Sequence, residues 1–201
     1  MLKTNMWKVN EIFHSLQGEG YNTGTASVFI RLSGCNLHCD FCDTKHEEGK
    51  LMSLPEIVEQ VMRYPTAPLI VLTGGEPSLW IDEDFVNGLK KMTGKRIAIE
   101  TNGTRPLPHG IDWVTLSPKT GIGDSGDTPV VLTRCDELKV VYLGQDLAQY
   151  NNITATHRYL QPCWTEDPEK RKNNLLATVQ AVMDHPEWRL SLQTHRILGI
   201  R

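Results

Sequence analysis

The sequence predicts an α/β fold, an incomplete and modified (β/α) barrel with reduced helix content, in a single domain over residues 1–201. Three observations carry that expectation. Short apolar, β-branched runs recur at 28–32, 69–73, 97–101, 113–116, 138–142, 159–161 and 189–193, as buried strands do. Segments of helical periodicity at 54–63, 83–92, 145–150 and 169–184 fall between several of them, and alternating strand and helix gives a parallel sheet. The stretch 117–134, with Gly121, Gly123, Gly126 and Pro129, has neither period, so one crossover helix is reduced there and the barrel is incomplete. At this length one hydrophobic core is well supported and a second full domain is not expected.

Capping chemistry sets the helix starts. Ser53 with Glu56 three residues on forms a capping box, and Pro55 sits in the first turn, where its missing N–H costs nothing. Asp82 and Asp167 are placed to cap the second and the last helix. A formal charge of -3 with interspersed signs leaves no basic stripe, so no nucleic-acid partner is expected and the substrate is read as small. Residues 1–6 have no apolar run behind them, and nothing in the chain approaches the roughly 20 apolar residues that span a bilayer. A cytoplasmic protein with no membrane partner is therefore expected.

Five cysteines is an odd number, and their distribution is uneven. Cys135 and Cys163 are isolated and read as inert buried thiols, whereas Cys35, Cys39 and Cys42 lie within eight residues and point to metal. The triplet follows directly on the 28–32 strand, at the strand end where α/β barrels build active sites. Three thiolates at this spacing leave one iron of a [4Fe–4S] cluster without a protein ligand. The same triplet also suits zinc, completed by His38, His46 or a distant cysteine. The next strand end, Gly74-Gly75-Glu76-Pro77, favours the cluster, because glycines let backbone approach a ligand and leave carbonyls free to accept from an ammonium group.

Together, Cys35/Cys39/Cys42 and Gly74-Gly75-Glu76-Pro77 resemble the cysteine loop and GGEP-type strand end of the radical S-adenosylmethionine (SAM) superfamily. That resemblance implies a fold of the radical SAM type, a [4Fe–4S] cluster on the three cysteines, and SAM chelated by the open iron. It places Phe41, Cys42 and Asp43 beside SAM, with Gly74 and Gly75 meeting its amino group. Asp40 and His38 are read as solvated loop residues.

Further segments narrow the resemblance: 11–20 (EIFHSLQGEG), Asp43-Thr44, Ile99-Glu100-Thr101-Asn102-Gly103, Ser117-Pro118-Lys119, 137–141 (ELKVV), Gln161-Pro162 and the tail 193–201. Across almost the whole chain these resemble the 7-carboxy-7-deazaguanine synthase family of queuosine and 7-deazapurine biosynthesis. The residues allow parts of this directly. The loop at Gln17 and Glu19 offers acceptors suited to the amide and amino edge of a guanine-like ring. Arg31, on a buried strand, requires a carboxylate from substrate or protein, or a path to solvent.

The rest is what the resemblance implies. It assigns Leu16, Gln17, Gly18, Glu19, Arg31, Thr73 and the Arg201 carboxylate to substrate. Ser117, Pro118, Lys119 and Gln161 go to SAM, Glu100 at its strand end is a candidate for a polar contact to SAM or to substrate, and Thr44 goes to Mg²⁺, a cation that takes oxygen ligands and keeps waters. No side chain is assigned as acid or base, the radical coming from SAM. The implied reaction is a lyase-type ring contraction of 6-carboxy-5,6,7,8-tetrahydropterin to 7-carboxy-7-deazaguanine with loss of ammonia. A homodimer and an electron donor such as flavodoxin or ferredoxin are implied as well.

Overall fold

A computed structural model describes residues 5–42, 44–120, 122 and 128–201. Asp43, Gly121, Gly123 and Gly126 therefore lie outside the described residues, and with them part of the stretch expected to lack a helix.

Among the described residues nine strands form one sheet that does not close: β1 (Met6–Leu16), β2 (Ala26–Leu32), β3 (Lys50–Ser53), β4 (Leu69–Gly74), β5 (Arg96–Thr101), β6 (Trp113–Leu116), β7 (Arg134–Tyr142), β8 (Thr154–Pro162) and β9 (Arg189–Leu190). Their spatial order is β3-β1-β2-β4-β5-β6-β7-β8-β9. From β2 onward every pairing is parallel, as the strand–helix alternation requires. The antiparallel edge of β1 and β3 was not anticipated, because 6–16 alternates polar and apolar residues without a long apolar run. The helices are α1 (Leu54–Met62), α2 (Glu83–Thr93), α3 (Pro168–Asp184) and α4 (Thr194–Leu198). The helix expected at 145–150 is a single 3₁₀ turn, Leu147–Tyr150, and the strand expected at 189–193 is two residues long. Among the described residues no helix is long and apolar enough to cross a membrane.

The predicted caps form. The Glu56 carboxylate accepts from the Ser53 backbone N–H and hydroxyl, each at 2.7 Å, Asp82 accepts from the Phe85 N–H at 2.8 Å, and Asp167 from the Glu169 N–H at 2.9 Å. At the far end of α1 the buried Lys95 ammonium donates to the carbonyls of Tyr64, Pro65 and Ala67 at 2.5–3.1 Å. Lys95→Met removes all three donors, and an unfolding curve in urea is expected to show a loss of about 1–3 kcal/mol.

Strand alternation places the site. Successive side chains point to opposite faces. Val28, Ile30 and Leu32 of β2, Ile70 and Leu72 of β4, and Ile97 and Ile99 of β5 pack with Ile57, Val61, Phe85 and Leu89 of α1 and α2. The alternate residues face the other side. There Phe13, Phe29, Leu69, Val71 and Ala98 form an apolar layer, and beyond it, toward the C-terminal strand ends, stand Arg31, Thr73 and Glu100. The inner face is thus apolar at one end and polar at the other.

Candidate active site

The polar end opens into a cavity of about 470 Å³ that brings together nearly every residue singled out from the sequence. Leu16, Gln17, Gly18, Glu19, Arg31, Thr44, Thr73, Glu100 and Arg201 line one part of it. Cys35, Cys39, Phe41, Cys42, Gly74, Gly75, Ser117, Lys119 and Gln161 line the other. Pro118 is the exception among the described candidates: it is buried next to the cavity and does not line it.

The cysteine loop is held against the GGEP strand end by backbone. Gly75 N–H donates to the Leu32 carbonyl at 3.1 Å, and Glu76 N–H donates to that of Gly34 at 2.8 Å. A Cβ at Gly74, which has φ 127°, would collide with the backbone of Leu32, and one at Gly75 with that of Gly34. The two glycines therefore serve chain packing as well as ligand approach. The Glu76 carboxylate, almost wholly buried, accepts from the Ser78 N–H at 3.0 Å, the Thr101 hydroxyl at 2.7 Å and the Asn102 N–H at 2.7 Å. It joins the ends of β4 and β5. From the loop itself, Asn36 donates to Thr104 at 2.9 Å and accepts from Asn102 at 3.1 Å.

Burial raises the pKa of the Cys35 thiol, as does the charge of Glu76, and burial also raises that of Cys39, opposed by Lys119. Among the described residues no three His, Cys, Asp or Glu side chains are gathered as a ready metal site. The donor set still fits an iron–sulfur cluster with one iron left open. Three soft thiols line one cavity, whereas His38 is exposed outside it, so a closed fourth ligand from that residue is not at hand. His46 does line the cavity, with a buried Nδ1 that has no hydrogen-bond partner among the described residues. Cys135 matches its expected inertness, burial pushing its thiol up to about 12, while Cys163 is buried yet lines the cavity.

In the part of the cavity lined by the cysteine loop, Lys119 donates to the Ser117 carbonyl at 2.8 Å and hydroxyl at 2.6 Å. Burial lowers its pKa, opposed by the charges of Cys39, Glu76 and Glu19, so an anion placed beside it would favour the ammonium form. The buried Gln161 accepts from Ser191 at 3.0 Å, and Ser191 accepts from Gly20 N–H at 3.0 Å, which ties β8 to the 17–25 loop.

At the opposite end Arg31 resolves the choice left open by its sequence: its Nε donates to Glu11 at 2.9 Å, and its Nη1 to the Thr44 hydroxyl at 3.2 Å. Glu11 also accepts from Arg201, whose guanidinium lies 4.7 Å from the Phe13 ring centroid, while Ser15 donates to the Arg201 carbonyl oxygen. The tail reaches this place through α4, anchored where Thr194 N–H and hydroxyl both donate to the Gly18 carbonyl at 2.9 Å.

Glu100 stands with the Gln17–Glu19 loop rather than with Ser117 and Lys119. It accepts from Gln17 at 3.1 Å and from the Thr73 hydroxyl at 2.8 Å. Sequence reasoning did not single out Lys139, Glu11, Gln193 or His195. For Lys139 a signal existed: Glu137, Lys139 and Val141 alternate with Leu138 and Val140 on a buried strand, so one face of β7 had to carry charge into the interior.

Comparison with known proteins agrees with this arrangement. The family model of the radical SAM superfamily matches residues 29–177. A 7-carboxy-7-deazaguanine synthase of Bacteroides thetaiotaomicron is 56% identical over 196 residues, spanning 98% of this chain and 100% of the relative. One from Nitratidesulfovibrio vulgaris is 39% identical over 220 residues, spanning 96% and 99%. The crystal structure of QueE from Escherichia coli superposes with a TM-score of 0.73 at 29% identity and covers 93% of both chains. With likeness along nearly its whole length, the chain belongs to the 7-carboxy-7-deazaguanine synthase family of the radical SAM superfamily.

Proposed function

We propose that this chain, as one domain over 1–201, converts 6-carboxy-5,6,7,8-tetrahydropterin to 7-carboxy-7-deazaguanine with loss of ammonia. It does so in the cytoplasm, within queuosine or 7-deazapurine biosynthesis, using a [4Fe–4S] cluster, SAM and Mg²⁺. The observation that carries the reading is the polarity of one cavity: a thiol loop at one end, a cationic wall of Arg31 and Arg201 beside Thr44, and a floor of Gln17, Glu19 and Glu100. A ring with an amide and amino edge and a carboxylate elsewhere suits that floor and wall.

When bound, the cluster and SAM supply a carbon radical strong enough to take hydrogen from an unactivated C–H bond. The chain does the holding. Cys35, Cys39 and Cys42 ligate the cluster. Phe41, Asp43, Gly74, Gly75, Ser117, Pro118, Lys119 and Gln161 surround SAM, Lys119 offering a buried cation to its carboxylate. Leu16, Gln17, Gly18, Glu19 and Thr73 fix the ring, Glu100 closing the floor behind them. Arg31 and Arg201 bracket the far side, where Thr44 contributes an oxygen to Mg²⁺. Phe13 and Phe29 back this wall with apolar surface and limit water. An electron donor such as flavodoxin or ferredoxin and a homodimeric assembly complete the reading.

The test is anaerobic incubation of cluster-loaded protein with reductant, SAM, Mg²⁺ and the carboxypterin, with the deazaguanine sought by mass. Cleavage of SAM without that product would sink the substrate assignment and spare the superfamily chemistry. Arg31→Met is expected to raise KM for the carboxypterin about a hundredfold in steady-state assays, because about 3 kcal/mol of charge-assisted bonding is lost.

A further inference from the structure

Lys139 stands at the centre of the cavity floor, buried on β7, and no role for it follows from the cysteine loop or from SAM. Its ammonium donates to Glu19 and, at 3.4 Å, to Glu100. Glu19 takes a second bond from Gln193 Nε2 at 2.8 Å, and Glu100 takes bonds from Gln17 and Thr73. Three separate pieces of chain, the loop after β1, the end of β5 and the middle of β7, thus meet on one nitrogen. Gly20 lets the loop come this close, since a Cβ there would strike the Glu137 carboxylate.

A buried carboxylate without a cation takes up a proton as pH approaches neutrality, and a protonated one donates where it formerly accepted. Burial alone would push Glu19 up, yet the Lys139 charge, with the bonds from Lys139 and Gln193, brings it to about 2. Lys139 is itself held above the usual lysine range: burial opposes its charge, and Glu100, Glu19 and Glu137 overcome that. The charged or titratable groups facing Glu19 are Lys139 from β7, Glu100 from β5 and His195 from α4, with Glu137 behind Lys139.

We propose that Lys139 is a positioning residue for ring recognition: its ammonium, bonded to Glu19 and Glu100 together, keeps Glu19 ionised and holds both carboxylates in place, so that the floor accepts ring N–H groups and rejects ring forms presenting acceptors there. The identity of the ring rests on the function proposed above. The charge state of the floor does not.

The test uses the full chain, with Lys139→Met, Glu19→Gln and the double variant. Infrared spectra of the protonated-carboxyl region, followed against pH, read the floor without any substrate. Wild type is expected to show no Glu19→Gln-sensitive band near neutral pH. Lys139→Met is expected to show one that the double variant lacks. In steady state with the carboxypterin, Lys139→Met is expected to gain a KM that rises about tenfold per pH unit below the freed carboxyl's pKa. Its kcat is expected to change less, and the double variant to lose the pH dependence.

A Glu19-derived band at neutral pH in wild type would overturn the proposal, and that comparison stands even where Lys139→Met does not fold. So would a Lys139→Met protein titrating as wild type does. Wild-type protein that fails to turn over the carboxypterin but shows the expected infrared behaviour would refute the substrate and leave the role of Lys139 standing.

Discussion

Replacing Cys39 by Ala is expected to abolish the brown colour of anaerobically reconstituted protein and to bring both SAM cleavage and product formation below detection. Cys39 is the middle thiol of the loop and lines the cavity between Cys35 and Cys42. Two remaining thiolates cannot hold a cubane that already lacks a fourth protein ligand. The rest of the fold does not depend on this side chain. Cys39 is half-buried in a segment without regular secondary structure, and the loop's anchors are Asn36, Gly34 and the Glu76 backbone. The circular dichroism and urea midpoint of the iron-free protein should therefore match those of wild type. Retained turnover would overturn the assignment of the cluster to this loop.

Glu76→Ala is expected to produce the largest loss of stability of any single polar substitution near the site. The carboxylate is almost wholly buried and is the acceptor for three donors, the Ser78 N–H, the Thr101 hydroxyl and the Asn102 N–H. Its removal strands all three, and at about 1–3 kcal/mol for each unsatisfied buried group the total is expected near 3–5 kcal/mol by urea unfolding. Iron content per chain should fall with it, because Asn102 also holds Asn36 of the cysteine loop. Glu76→Gln keeps the shape and one acceptor oxygen, so it should lose less than Glu76→Ala on both measurements. Equal losses for the two variants would mean that the retained volume and single acceptor oxygen count for nothing and that only the whole carboxylate serves at this position.

Much of the fold was legible because burial writes itself into a parallel strand. Strands buried on both faces are largely apolar runs, and β2, β4 and β5 read that way. The helix starts were equally plain, since caps are local: Ser53, Asp82 and Asp167 need only residues two or three positions ahead. β1 escaped because one of its faces is only partly buried, so its pattern alternates and resembles a polar loop. The helix within the tail escaped too. α4 is five residues long, has no buried side chain and is held by bonds to Gly18 far away in sequence.

For the site, chemistry concentrated in one segment was readable, and chemistry assembled across the sheet was not. The thiol spacing, the glycine pair and the Gln17–Glu19 loop are contiguous, and contiguous residues keep their distances whatever the fold. Which acid answers Arg31 was undecidable, because Glu11 reaches it only through the antiparallel register that sets Glu11 opposite Arg31. Likewise Glu100 belonged to no particular end of the cavity until the alternation of β5 aimed it at Gln17 and Thr73.

The sequence by itself determined the alternating architecture, the metal-binding loop and the helix boundaries, since each follows from hydrophobic period or from ligand spacing along the chain. The tertiary structure alone decided the charge of the floor. Glu19, Glu100 and Lys139 are separated by 81 and 39 positions in sequence, and the proton affinities of Glu19 and Lys139 depend on burial and on the distances among the three, quantities that exist only once the strands have paired and the loop after β1 has packed against them.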